Sequence, residues 1–311
     1  MHVPFSQSAQ LEETAVAALR QSACVRVLYE SPEVVVGVFH CDPGDARWSE
    51  ENCAEEGHFV VFPGTSVVIE HTGREPVVTG PNHFMLYNRH QTYRRRLLDP
   101  RGDHCVFLLV APRVLAEAAL VSDPDDFRFS VSHGPTSAAA YLLHRLVVRQ
   151  LDGDEVPDRL EVEEALYQLV SDAVSVDLRL NGGQARPVRE RTRADHLRLV
   201  EETKALISRR VAENLSLRDI AGEVHTSPFH LARIFRARTG FAVHEYQNQL
   251  RLRMSLDRIF EPGLDLSSIA LEFGYASHSH FTDSFRRAFK APPSRLREML
   301  TITEARRWAR A

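Results

Sequence analysis

No stretch of this sequence stays apolar over the ~18–20 residues that a membrane-spanning helix needs. Residues 1–13 do not join a basic stretch to an apolar core, so a secretory leader is not expected and a cytoplasmic location is. Cysteine is scarce. The four present, Cys24, Cys41, Cys53 and Cys105, include no Cys-x-x-Cys pair, which argues for thiols or metal ligands over a disulfide framework. Phosphate loops, Gly-x-Ser-x-Gly and His-Glu-x-x-His are all missing, and no His-x-His precedes the C-terminal third. Catalysis is therefore not expected, and no cofactor is required.

What the chain does have is a lopsided charge. The formal net charge of −4 argues by itself against a nucleic-acid partner. Residues 195–311, however, carry 19 Lys+Arg against 14 Asp+Glu, a net of +5, and the rest carries 19 against 28, a net of −9. A basic C-terminal part joined to an acidic N-terminal part points to a division of labour.

Residues 24–111 read as short strands. Val34–Phe39 is a β-branched run, and the apolar runs 58–62 and 66–70 flank the turn signal Pro63-Gly64-Thr65. Residues 106–110 form another such run, and the pattern predicts a small barrel or sandwich. From Pro135 the spacing turns helical. Leu142, Leu143, Leu146 and Val147 mark one helix, and Leu166, Leu169, Val170 and Val174 mark a second. Such a hairpin either covers the strands or leaves an apolar stripe free for a partner. The stretch 181–187 has linker composition and falls where the charge changes sign.

An internal repeat follows. Ile220-Ala221-x-x-Val224 with Ser227-x-x-His230-Leu231-x-x-Ile234-Phe235 returns as Ile269-Ala270-x-x-Phe273-Gly274 with Ser277-x-x-His280-Phe281-x-x-Ser284-Phe285. Each copy reads as helix, tight turn, helix. Ser216 with Asp219 forms a capping-box pattern, Ser227 precedes Pro228 at an N-cap, and Asp265 and Ser277 cap the corresponding helices of the second copy. Leu231, Ile234, Phe235, Phe281 and Phe285 fall on inward faces. The outward faces carry guanidinium, imidazole and hydroxyl groups suited to base edges and phosphates in a major groove.

The stretch 197–300 resembles the DNA-binding domain of the AraC/XylS family of regulators. The resemblance rests on these repeats together with Gly240, Tyr275, Phe289 and Pro292-Pro293-Ser294-x-x-Arg297. It implies an α+β protein with an N-terminal cupin-like β-barrel and helical hairpin (residues 1–180) for sensing and dimerisation. A linker (181–194), an all-α double helix-turn-helix domain (195–300) and a C-terminal tail (301–311) would follow. It implies a transcription regulator whose partners are double-stranded DNA, a small-molecule effector, a second copy of the chain and RNA polymerase. The resemblance places base contacts at Phe229, Ala232 and Arg233 and at His278, Ser279, Thr282 and Asp283. Ala232 cannot hydrogen-bond to a base, and Asp283 would either accept from cytosine or tether a neighbouring arginine. Arg236, Arg251, Arg286 and Arg287 are the candidates for phosphate contacts.

Two further sites stand as alternatives in the N-terminal part. His40-Cys41, Cys53, His58 and His104-Cys105 sit at or beside strand ends, so Cys41, Cys53, Cys105 and His58 form a candidate zinc set, or the thiols a redox sensor. Tyr87, Asn88, His90, Tyr93 and Arg94-Arg95-Arg96 offer polar groups to an anionic or sugar-like effector. A metal- or thiol-handling cupin-like protein whose helical domain docks a protein partner is the competing reading.

Overall fold

The computed structural model describes residues 11, 13–55, 57–153, 158–181, 190–261 and 263–298. Most of the expected linker (182–189) and the expected tail lie outside them. A short helix α1 (Glu13–Gln21) leads into ten strands: β1 (Val25–Glu30), β2 (Val34–Cys41), β3 (Asn52–Cys53), β4 (His58–Pro63), β5 (Val67–His71), β6 (Val77–Thr79), β7 (His83–Tyr87), β8 (Thr92–Leu97), β9 (Asp103–Val110) and β10 (His133–Pro135). They form a six-stranded sheet in the order β1-β2-β9-β4-β7-β10 and a four-stranded sheet in the order β3-β8-β5-β6. The N-terminal half is β-rich as the sequence predicts, but the cupin-like barrel is corrected: the strands form two antiparallel sheets that do not close on each other.

The β-branched run has a simple explanation: its strand is buried on both faces. Val35, Phe107, Leu109 and Met85 of the large sheet meet Val67 and Ile69 of the small one, with α1 closing one end. The alternate residues Val34, Val36, Val106 and Leu108 face the other way, onto helices. These helices are α2 (Pro112–Ala119), α3 (Ala138–Leu151) and α4 (Arg159–Asn181).

Seven helices follow: α5 (Glu190–Arg209), α6 (Leu217–Glu223), α7 (Pro228–Thr239), α8 (Val243–Phe260), α9 (Leu266–Glu272), α10 (His278–Phe289) and α11 (Pro293–Glu298). The first repeat builds a core from Ile220, Leu231, Ile234 and Phe235 with Val200, Ile207 and Leu250. The second builds one from Ile269, Phe273, Phe281, Phe285 and Leu296 with Leu252 and Leu256.

Helix α3 joins the halves. Its Ala140, Leu143 and Val147 complete the sheet-side core, and its Tyr141, Leu142 and Leu146 belong to the core of the second repeat. The stripe that the sequence leaves free for a partner is thus filled, for α3, by the chain's own C-terminal half. A full stripe on each side of a helix stabilises both neighbours, at ~1.5–3 kcal/mol per fully buried large apolar side chain.

Candidate nucleic-acid interface

Local chemistry sets up each helix-turn-helix. The Ser216 hydroxyl accepts from the Asp219 N–H and the Asp219 carboxylate accepts from the Ser216 N–H, a complete capping box at the start of α6. Ser227 accepts from the His230 N–H at the start of α7, with Pro228 in the first turn. Asp265 caps α9 and Ser277 caps α10 in the same way. The sharp turn of each unit needs a left-handed residue. His225 supplies it in the first, at φ 52°, and Gly274 in the second, at φ 75°. At Gly274 a Cβ would also lie 2.0 Å from the Ala212 carbonyl oxygen.

The two candidate recognition helices, α7 and α10, present the expected side chains to solvent. Phe229 is 79% exposed, and Arg233 and Arg236 are exposed beside a half-buried Ala232. On α10, His278, Ser279, Asp283, Arg286 and Arg287 are exposed and Thr282 is half-buried. Asp283 lies 3.7 Å from the Arg286 guanidinium, the tethering arrangement, and Thr282 lies 3.4 Å from His278 Nε2.

Arg251 departs from expectation. It is 9% exposed, and its guanidinium donates to the carbonyls of Val211 and Glu213 from the first unit and Gly274 from the second. A group so engaged is not free to hold phosphate. It fixes the angle between the two units through the spacer helix α8. The sequence reading missed this because an arginine on a helix in a basic domain looks the same whether it faces DNA or carbonyls.

The seam between the halves carries a second buried arginine that the sequence did not flag. Arg253, on α8, is 2% exposed and donates to the Pro81 carbonyl at 3.2 Å, Asn82 Oδ1 at 2.6 Å and the Thr136 carbonyl at 2.6 Å. Burial lowers its pKa to about 10, still far above neutrality, so it remains a cation. Asn82 in return donates to the Tyr246 carbonyl, and Ser66 to Ser208.

The candidate zinc set does not converge. In the β4–β9 pairing His58 stands opposite Val110 while Cys105 stands opposite Pro63, five positions away or ~17 Å along the strand. Cys41 lies further still, opposite Asp103. Among the described residues no group of three or more His, Cys, Asp or Glu side chains could hold a metal ion. Burial pushes the Cys41 thiol up to about 11 and Cys105 well above its usual value, the reverse of the low-pKa thiolate that a redox sensor uses.

Between the sheets lies a cavity of about 230 Å³ lined by Phe39, Val61, Met85, Tyr87, Tyr93 and Arg95, with Cys53 and Cys105 at its wall. Arg95 is paired with Asp103 at 3.0 Å and donates to Tyr93 at 2.7 Å, while its Nε has no partner. Of the polar groups named from sequence, Tyr87, Tyr93 and Arg95 line this cavity. Arg94 and Arg96 point out by strand alternation, a period-2 signal that could have separated them. Asn88 instead holds the backbone of Phe129, and His90 sits exposed in a turn at φ 62°.

Two helix-turn-helix units held at a fixed angle on one spacer helix define a double helix-turn-helix protein with a β-sandwich attached. A family profile described as a helix-turn-helix domain matches residues 220–299. The probable transcription factor PqrA of Proteus vulgaris is 30% identical over 92 residues, 30% of this chain and 75% of its own length. The Msm operon regulatory protein of Streptococcus mutans is 28% identical over 99 residues, 32% of this chain and only 36% of its own. The crystal structure of ToxT from Vibrio cholerae aligns over 87% of this chain and 99% of that one, at 14% identity and a TM-score of 0.35. The chain belongs to the AraC/XylS family of transcriptional regulators.

Proposed function

We propose that this protein is a sequence-specific DNA-binding regulator that reads two successive major-groove segments with α7 and α10 and is controlled by a small molecule bound between its sheets. The observation that carries the DNA reading is the pair of capped recognition helices with outward polar faces, clamped at one angle by Arg251. A rigid spacer lets both helices address one face of the duplex, one turn or ~34 Å apart. Arg233 is the main base reader, with Phe229, Ala232, His278, Ser279, Thr282 and Asp283 alongside, and Arg236, Arg286 and Arg287 hold phosphates. The effector is compact and largely apolar, with an acceptor oxygen for the unpartnered Nε–H of Arg95. The protein works in the cytoplasm as a homodimer, which raises the local concentration of the second DNA-binding domain at a paired site, and it engages RNA polymerase there.

Selection of random duplex DNA on the full chain, followed by gel shift across salt concentrations, tests this reading. A recovered motif and a steep loss of affinity with salt are expected. Arg233→Ala should then cost ~1–3 kcal/mol on the selected site and relax one base position. Binding that is salt-insensitive, or equal on selected and scrambled DNA, contradicts the reading.

A further inference from the structure

The notable pair in the sheet domain is one that the candidate zinc set passed over. His40 of β2 and His104 of β9 stand directly opposite each other in the antiparallel ladder. The His40 N–H donates away from β9, to the Cys24 carbonyl. The His104 N–H is taken by Thr65 Oγ1, and its carbonyl by the N–H groups of Gly64 and Thr65. The two residues therefore form a non-hydrogen-bonded cross-strand pair, the closer of the two ladder geometries at ~4.5 Å between Cα atoms. Their rings meet edge to face with centroids 3.9 Å apart, and the two Nδ1 atoms are 2.9 Å apart.

The remaining ring nitrogens show where each Nε2 hydrogen goes. His40 Nε2 lies 2.8 Å from Asp42 Oδ1, and His104 Nε2 lies 3.0 Å from the Arg101 carbonyl oxygen. A carboxylate and a carbonyl only accept, so each Nε2 carries the hydrogen. With a hydrogen on each Nε2, the two Nδ1 atoms face each other and need a cation between them, a shared proton or a metal ion. Outer N–H groups held by a carboxylate and a backbone carbonyl are the supporting shell that orients metal-ligating histidines.

We propose that His40 and His104 form a two-imidazole site for a divalent transition-metal ion such as Zn²⁺, Ni²⁺ or Cu²⁺. Bonds of 2.0–2.1 Å at a tetrahedral angle place two ligand nitrogens ~3.3 Å apart, so the rings need to open by less than ~0.5 Å. The His40 side chain is 47% exposed, which lets water fill the other positions. Imidazole selects borderline metals over Mg²⁺ and Ca²⁺. The Asp42 carboxylate on His40 Nε2 favours a cation at the pair, while Asp99 and Asp103 are offset by Arg101 and Arg95.

The test is titration of the full chain with Cu²⁺ and with Zn²⁺, reading stoichiometry by calorimetry and nitrogen ligation by electron paramagnetic resonance for Cu²⁺. Expected is a site with two nitrogen ligands that disappears in both His40→Gln and His104→Gln. Asp42→Asn, which keeps both ligands, should weaken it ~10–100-fold. Thermal unfolding of the metal-free variants checks that they fold, and Zn²⁺ should raise the melting temperature of the wild type but not of the folded variants. Wild type that binds no tighter than the His40→Gln and His104→Gln variants overturns the proposal and leaves a shared proton between the rings. Loss of the site only on replacing His58 or the cysteines overturns it too.

Discussion

Arg253→Ala is the sharpest perturbation of the seam between the sheet domain and the helix-turn-helix units. The substitution leaves three buried acceptors without a donor: the Pro81 and Thr136 carbonyls and Asn82 Oδ1. Orphaned buried acceptors cost about 1–3 kcal/mol each, and the vacated side-chain volume adds a cavity term. Against this, a cation with no carboxylate bonded to it no longer has to be desolvated, a relief of several kcal/mol. The net loss is about 2–4 kcal/mol. It falls on the docking of the two halves, because every acceptor lies in the N-terminal half and Arg253 on α8. Calorimetry of the wild type should show one cooperative transition, and that of the variant two. Arg253→Met keeps most of the volume and isolates the donor loss. Asn82→Ala, within the same network, should be strongly non-additive with Arg253→Ala. A variant with a single transition at the wild-type temperature would refute the reasoning, since it would mean that the guanidinium contributes nothing to docking.

Four further outcomes follow from the geometry. Gly274→Ala should cost about 2–3 kcal/mol, through its φ of 75° and a Cβ driven onto the Ala212 carbonyl, and urea midpoints measure this. Arg251→Ala should destabilise the paired units by about 2–3 kcal/mol, whereas Arg233→Ala should leave thermal unfolding within about 0.5 kcal/mol of wild type; equal unfolding of the two would put Arg251 back on the surface. Burial lowers His58 and His71 to about 4, below the ~6.5 of an unfolded histidine, so the unfolded chain binds more protons between those values. Stability is then full above pH ~6.5 and is lost as pH falls: about 1.4 kcal/mol for each histidine at pH 5.5 relative to pH 8, with the slope flattened by His58→Phe. Cys41 should react with a disulfide reagent at pH 8 far more slowly in the folded chain than in urea; rapid labelling of Cys41 in the folded chain would show that its burial is breached.

The repeat was legible because its determinants are local. A cap, a left-handed turn residue and an i, i+3, i+4 apolar face each lie within a dozen residues, and Ser216, Ser227, Asp265 and Ser277 all cap as read. The β-branched run of β2 was legible as strand, but what covers its two faces was not, since that depends on α3 and α4 arriving from about 100 residues away. Arg251 and Arg253 show the same limit. On one helix, two positions apart, neither is distinguishable by type from an arginine on a DNA-facing surface. Only the arrival of the carbonyls of Val211, Gly274, Pro81 and Thr136 decides it. The cysteine and histidine cluster failed for a complementary reason. Proximity to strand ends says nothing about which end, and ladder register puts His58 at one and Cys105 near the other.

The two helix-turn-helix units are also tied to the sheet domain differently. The first touches it mainly through polar contacts: Glu201 of α5 accepts from the Val78 N–H, Ser208 of α5 meets Ser66, and Asn82 donates to the Tyr246 carbonyl. The second takes Tyr141, Leu142 and Leu146 of α3 into its own core. These few polar contacts contribute ~0.5–1.5 kcal/mol each in net terms, less than a shared apolar core. An apolar core shared by two domains is close-packed and does not deform gradually. Any shift of α3 against the sheets is therefore transmitted directly to α8–α11, and reaches α6 and α7 at second hand, through the Arg251 clamp and the packing of Val243, Tyr246 and Leu250 of α8 against Leu231, Ile234 and Phe235. Asp283 beside Arg286 adds to this inequality, because it places a carboxylate on the outer face of α10 that partly offsets the Arg286 charge, where the matching face of α7 has none. Sequence discrimination should accordingly reside mainly with Arg233 on α7, and response to the sheet domain mainly with the unit that carries α10. Separate base-substitution scans of the two half-sites, with the seam intact and with Arg253→Ala, measure that division. Equal sensitivity of both half-sites to the seam substitution would contradict it.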